Sequence, residues 1–239
     1  MNKKLLITLG CSWTYGIGVY TDESLAEYKI TKDIKKLHAM NIHTCPRYSW
    51  PTQLSKLLDY DLINLAIPGA SHSGQVKALI NGKYDTTYFS KWNEVHVVFM
   101  LTGNQRFSFY KDKNEIVEYN PGSLNGSWLE PSTKLFLEQY VQLITDSGVE
   151  QETIFYVNCL ANYCRANNYN FNYLSSWNPM LETLLPNSLH EKLGWGKNSA
   201  KWRIQQEVPD NLDWGISFCG HPNKDGYALI ARELAKVLT

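Results

Sequence analysis

Residues 4–18 read KLLITLGCSWTYGIG, and this stretch decides the fold. Lys4 to Leu9 form a short aliphatic run that Gly10 closes, the pattern of a strand buried on both faces of a parallel sheet. A turn follows at once and carries Ser12. Further along, Ser49-Trp50-Pro51 predicts a helix start with proline in an early position, followed by Leu54, Leu57 and Leu58 at helical spacing. DLINLA predicts a second strand ending at a Pro68-Gly69 turn, and a helix is expected from about Ser73 to Ile80. VHVVFML, rich in β-branched and aliphatic residues, fits a central third strand that delivers Asn104 at its carboxyl end. Helices are expected around Thr133 to Thr145 and Glu150 to Ala166, then a fourth strand from Asn170 to Leu174. In the last segment, Asp225 to Leu238, a helix would place Tyr227, Ile230, Leu234 and Val237 on one face.

Strands alternating with helices imply an α/β protein with an open, mostly parallel sheet covered on both sides. Ligands of such sheets bind at the carboxyl ends of the strands. Ser12, Gly69 and Asn104 each follow a predicted strand, so three distant segments are expected to converge on one edge. Residues 20–48 are charged and poorly periodic and read as an excursion able to serve as a lid. Residues 175–213, rich in Trp, Pro and Asn, read as a long loop or small subdomain over the site.

The 239 residues suffice for one domain with a sizeable core. We expect a single domain over 1–239, with insertions at about 20–48 and 107–213. Lys and Arg number 23, as do Asp and Glu, so the balance of charge favours neither nucleic acid nor an anionic membrane as partner. The apolar run at the N-terminus is short and enters the Ser12 turn directly, so it is expected to be a strand rather than a leader. No stretch reaches the length of about eighteen apolar residues that a membrane helix needs. Five cysteines, Cys11, Cys45, Cys159, Cys164 and Cys219, are odd in number and lack the CxxC spacing of zinc sites. Reduced thiols in a cytoplasm are the expectation.

Four side chains carry the chemistry: Ser12 in GCSWTYG, Gly69 in NLAIPGAS, Asn104 in FMLTGNQRF and His221 in GHPNKDGY. A serine hydroxyl attacks a carbonyl carbon only if a base takes its proton, and His221 is the expected base. The N–H groups of Ser12 and Gly69 and the Asn104 amide are expected to hold the oxyanion. Such a reaction requires no metal or cofactor. Gly10, Gly16 and Gly18 do not have the spacing of a GxGxxG phosphate loop.

These four segments, in this order, resemble those of the SGNH hydrolases, the GDSL-like esterases and lipases, and GCSWTYG is similar to the form found in members encoded by bacteriophages. The resemblance implies a flavodoxin-like three-layer α/β/α sandwich and a serine esterase acting on a small-molecule or glycan ester, an acetyl ester on carbohydrate for instance. It covers both ends and the middle of the chain and leaves residues 107–210 without a motif. The chain departs from the pattern in three places. Cys11 replaces the aspartate of GDS, only the asparagine of GxND persists in Thr102-Gly103-Asn104-Gln105, and Phe218 stands where the family has the aspartate that orients the histidine. Asp213, Asp210 or a main-chain carbonyl would have to substitute. If none does, the chain would be a non-catalytic module of the same fold.

Each residue also has an ordinary explanation. Ser12 and Gly69 suit turns, Asn104 can end a strand, and His221 can sit in a loop before a helix capped by Asn223 or Asp225. Cys11 is a rival nucleophile, although strand-end cysteines usually pack. Arg106 would bind a substrate carboxylate or join a structural ion pair, the second being favoured. Trp13, Trp50, Trp128, Trp177, Trp195 and Trp202 would line a sugar groove or pack the loops.

Overall fold

A computed structural model of the chain describes residues 3–80, 86–102, 106–110, 116–119, 131–143, 146–176, 186–196, 198–207 and 220–238. Asn104, Asp210, Asp213, Phe218, Cys219, Trp128 and Trp177 lie outside the described residues.

The first strand, β1 (Lys4–Leu9), runs into a single-turn helix, α1 (Ser12–Tyr15). Residues 20–48 fold as α2 (Asp22–Thr31), α3 (Ile34–Asn41) and α4 (Cys45–Tyr48). Thr21 caps α2 by accepting from the Ser24 N–H, and Asp33 caps α3 by accepting from the Lys35 and Lys36 N–H groups, which explains helices in a stretch of weak periodicity. Then come α5 (Trp50–Leu58), β2 (Asp61–Asn64), α6 (His72–Ile80), α7 (Thr86–Phe89) and β3 (Glu94–Leu101). An antiparallel pair, β4 (Phe107–Tyr110) and β5 (Ile116–Tyr119), precedes α8 (Pro131–Leu143), α9 (Asp146–Ala166) and β6 (Asn170–Ser175). The chain closes with α10 (Leu189–Lys192), α11 (Ala200–Glu207) and α12 (Lys224–Ala235).

The main sheet has the order β2-β1-β3-β6, and each neighbouring pair is parallel. Ile7 of β1 sits opposite Ile63 on one side and Val97 on the other. Side chains alternate between two cores. Leu6, Val98, Met100 and Leu174 face a layer that holds Trp50 and Leu54 of α5 and Tyr227, Ile230 and Leu234 of α12. Leu5, Ile7, Leu9, Val97, Phe99 and Tyr173 face Val76 and Leu79 of α6 and Val157 and Leu160 of α9. Each fully buried aliphatic side chain contributes about 1.5–3 kcal/mol, so a strand covered on both faces is apolar along most of its length. The result is the α/β/α sandwich with a flavodoxin-like strand order.

That order fixes where a site can form. From β1 the chain reaches β2 through α5 on one face, and from β2 it crosses back to β3 through α6 on the other. The carboxyl ends of β1 and β3 therefore lie at the point where the winding reverses, the usual ligand crevice of such sheets. Among the described residues, no helix is long and apolar enough to cross a membrane.

Candidate active site

Ser12 occupies the first position after the sharp bend that leaves β1. Gly10 makes this bend possible with φ +152, and a Cβ there would lie 2.1 Å from Thr14 Oγ1 and 3.1 Å from the Met100 carbonyl. The Gly10 N–H donates to Gln75 Oε1 at 2.9 Å, which ties the end of β1 to α6. The carbonyl of Cys11 accepts from the N–H groups of Thr14 and Tyr15, starting α1 and setting Ser12 in its first turn.

His221 approaches from the other end of the chain. Its Nε2 is 2.6 Å from Ser12 Oγ. Two contacts hold it there. Asn223 caps α12 by accepting from the N–H groups of Asp225 and Gly226, and the Tyr227 hydroxyl donates to the Ile17 carbonyl at 2.6 Å. The ordinary reading of HPN as a helix entry holds, and the cap is Asn223 rather than Asp225. Both Ser12 and His221 are buried.

Burial, and after it the charges of His38 and Arg106, push the His221 imidazole down to a pKa of about 3. It is neutral at pH 7 and carries one ring proton. For the serine to be activated its Oγ–H must donate to Nε2, which requires the ring proton on Nδ1, an atom with no hydrogen-bond partner among the described residues. The pair can move the serine proton to the imidazole, but no described group stabilises the imidazolium that results.

Gly69 lies in a turn from Ile67 to Ala70, closed by the Ala70 N–H to the Ile67 carbonyl at 3.0 Å. Pro68 at the second position and Gly69 with φ +85 at the third are what a type II turn requires. The Ile67 N–H donates to the Gly10 carbonyl at 3.2 Å, so this turn is fastened beside the Ser12 bend. A Cβ at Gly69 would meet nothing within 4 Å, so the space beyond it is open.

Hydrophobic periodicity and turn signals give no sign of His72, yet it organises this edge. Its Nε2 accepts from the Thr102 N–H at 2.9 Å, and its Nδ1 is 3.3 Å from Thr153 Oγ1 on α9. Thr153 donates its own proton to the Val149 carbonyl, so His72 is the neutral Nδ1–H tautomer. Burial lowers its pKa to about 4, with the Arg106 charge as the next cause. Asn64 is a second such tie: Oδ1 accepts from Thr8 Oγ1 and the Ala66 N–H, and Nδ2 donates to the Thr14 carbonyl.

No protein-family model matches this sequence, and no curated protein matches it. Solved structures do align along nearly the whole chain. They include a carbohydrate esterase family 2 enzyme with a carbohydrate binding domain from Myceliophthora fergusii, at 15% identity and TM-score 0.46, covering 98% of this chain and 65% of that one. The psychrotrophic esterase EstA from Pseudoalteromonas aligns at 12% identity and TM-score 0.46, covering 97% and 94%. The acetyl xylan esterase Est2A from Butyrivibrio proteoclasticus aligns at 12% identity and TM-score 0.46, covering 100% of this chain and 64% of that one. The chain therefore spans less than two thirds of the first and third of these proteins.

The remaining candidates separate clearly. Cys11 is buried with Sγ 3.7 Å from Ser12 Oγ, but it is Ser12 that reaches the imidazole. Arg106 makes no ion pair among the described residues, and its Nη1 donates to the Ala70 carbonyl at 3.5 Å. Trp13, Trp50 and Trp195 belong to the core and Trp202 is partly exposed, so these four line no common groove. Among the described residues, no cluster of three His, Cys, Asp or Glu is placed to hold a metal ion. A polar cavity of about 530 Å³ lined by His96, Arg165, Asn170 and Lys192 opens at the opposite, amino edge of the sheet and includes neither Ser12 nor His221.

Proposed function

We propose that this protein is a serine ester hydrolase of the SGNH type that cleaves small acyl esters. The observation that carries this reading is the 2.6 Å contact between His221 Nε2 and Ser12 Oγ at the carboxyl edge of the sheet. In the mechanism, Ser12 Oγ attacks the acyl carbon while its proton passes to His221 Nε2. The tetrahedral oxyanion is held by the N–H groups of Ser12 and Gly69 and by the Asn104 amide, each such donor being worth about 10²- to 10³-fold in rate. Collapse expels the alcohol, which takes the proton from His221. Water then repeats the sequence on the acyl-serine. Asp213 is the carboxylate proposed to accept from Nδ1–H. An acetyl ester on a carbohydrate is the substrate that the resemblance of the four segments suggests, and the narrower likeness to phage-encoded members rests on GCSWTYG alone.

One observation favours a second reading, a non-catalytic module that keeps the fold: Nδ1 of His221 has no partner among the described residues. A fluorophosphonate probe separates the two. Covalent labelling of Ser12, lost in His221→Ala, supports the hydrolase, whereas an unlabelled, folded protein that leaves p-nitrophenyl acetate intact is the binding module.

A further inference from the structure

Two neighbouring residues at the start of α6, His72 and Ser73, fasten the described residues at the end of β3 and in β4. Thr102 is held by His72, and Ser108 by Ser73, whose hydroxyl oxygens are 2.6 Å apart. Lys77 Nζ adds bonds to the Ser108 hydroxyl and carbonyl at 3.1 and 3.4 Å. Arg106 lies between these anchors, and its guanidinium comes back over the Gly69 turn to the carbonyl of Ala70. Arg106 is half-buried, and among the described residues that single long contact uses one of the five guanidinium donors. Among the described residues it has no carboxylate partner, although a partly desolvated cation is stable only when something compensates its charge.

We propose that Arg106 binds an oxyanion substituent of the substrate, a carboxylate or phosphate, beside the ester that Ser12 attacks. The inference rests on the hydrolase reading and gives it a substrate class: esters whose acyl or alcohol part is anionic. The electrostatics agree with it. The charge of Arg106 acts on His221 and His72 and lowers the basicity of both imidazoles. In the free protein this opposes proton uptake by the general base. A bound anion pairs with the guanidinium and removes that opposition, so the base becomes effective when the correct substrate is in place. The planar fork of arginine suits two parallel bonds to such a group.

The test compares 4-acetoxybenzoate with its methyl ester, each rate normalised to that ester's own hydroxide-catalysed hydrolysis. The protein is expected to favour the anionic ester in kcat/KM by at least about tenfold, the effect of one charge-assisted hydrogen bond. Arg106→Gln should bring the ratio to one or below, and Arg106→Lys should retain part of it. Because the readout is a ratio, a general loss of activity in a variant cancels. Equal turnover of the two esters, or a preference that survives Arg106→Gln, overturns the proposal while leaving the hydrolase intact. If neither ester is cleaved and Ser12 resists the fluorophosphonate, the hydrolase reading fails instead. Calorimetric titration with 4-hydroxybenzoate then decides for Arg106: binding that Arg106→Gln abolishes keeps the anion site, and no binding removes it.

Discussion

His221 Nε2 meets Ser12 Oγ at 2.6 Å across 209 positions of sequence. The contact joins the first turn after the first strand to the loop that enters the last helix, so the two ends of the chain must fold together before it exists. In the tautomer that activates the serine, the hydroxyl donates, the imidazole accepts, and the buried second ring nitrogen carries a proton with no partner among the described residues.

Ser12→Ala should lower ester hydrolysis by at least about 10³-fold, as removal of a nucleophile does elsewhere. The variant should stay folded, since it loses one buried hydroxyl and no packing. Cys11→Ser should retain activity. Steady-state rates with p-nitrophenyl acetate and a thermal melt measure both. Activity that survives in Ser12→Ala and disappears in Cys11→Ser would transfer the nucleophile to sulfur.

Acid dependence distinguishes a dyad from a triad. The proposed mechanism needs neutral His221, and a free-protein pKa of about 3 keeps it neutral until the solution is strongly acid. The acid limb of kcat/KM should then fall well below pH 6.5, the ordinary histidine value. A carboxylate on Nδ1, from Asp213, would favour the imidazolium and move that limb upward. Asp213→Asn is the deciding variant: no change in limb or rate identifies a dyad, and a downward shift with loss of rate identifies Asp213 as the third member.

His72 should make the fold sensitive to acid. Its pKa in the folded protein, about 4, lies below the ordinary 6.5, so the unfolded chain binds the proton more readily. Stability is therefore complete above about pH 6.5 and declines as pH falls towards 4, by up to about 3 kcal/mol for such a group. His72→Gln, which keeps an acceptor for the Thr102 N–H, should lose less stability between pH 7 and 4.5. Urea unfolding at the two pH values measures this. Equal losses in both proteins would show that His72 does not titrate in that range.

Gly18 should be intolerant of a side chain. It has φ +110, and a Cβ there would lie 2.7 Å from His221 Cβ and 2.5 Å from the Pro222 carbonyl. Gly18→Ala is expected to destabilise the fold by about 1–3 kcal/mol and to displace the imidazole. Catalysis should fall more than stability does. A variant with normal kcat/KM would show that the His221 loop can retreat from the clash without leaving Ser12.

Much of this architecture is written in short-range patterns. The aliphatic run before Gly10, VHVVFML and the 3.6-residue spacing in the last helix act through neighbours in sequence, so they locate β1, β3 and α12 to within a residue or two at their starts. The second strand stops at Asn64, earlier than DLINLA suggests, because the Asn64 side chain takes the Ala66 N–H. The β4–β5 pair sits inside a stretch that reads only as polar, and each strand has just four residues in which to signal itself. Helix α11 gives little sign of itself because most of its residues are polar.

By itself, then, the sequence determined the four strands of the main sheet, that the first two lead into Ser12 and Gly69, and that His221 precedes the last helix, because hydrophobic periodicity and turn chemistry are local. Only the tertiary structure decided that Ser12 rather than Cys11 meets His221, that His72 pins the end of β3, and that Arg106 stands over the Gly69 turn without an ion pair among the described residues. Those relations depend on the order in which strands lie side by side and on which charges burial leaves uncompensated. Neither quantity is a property of any one segment.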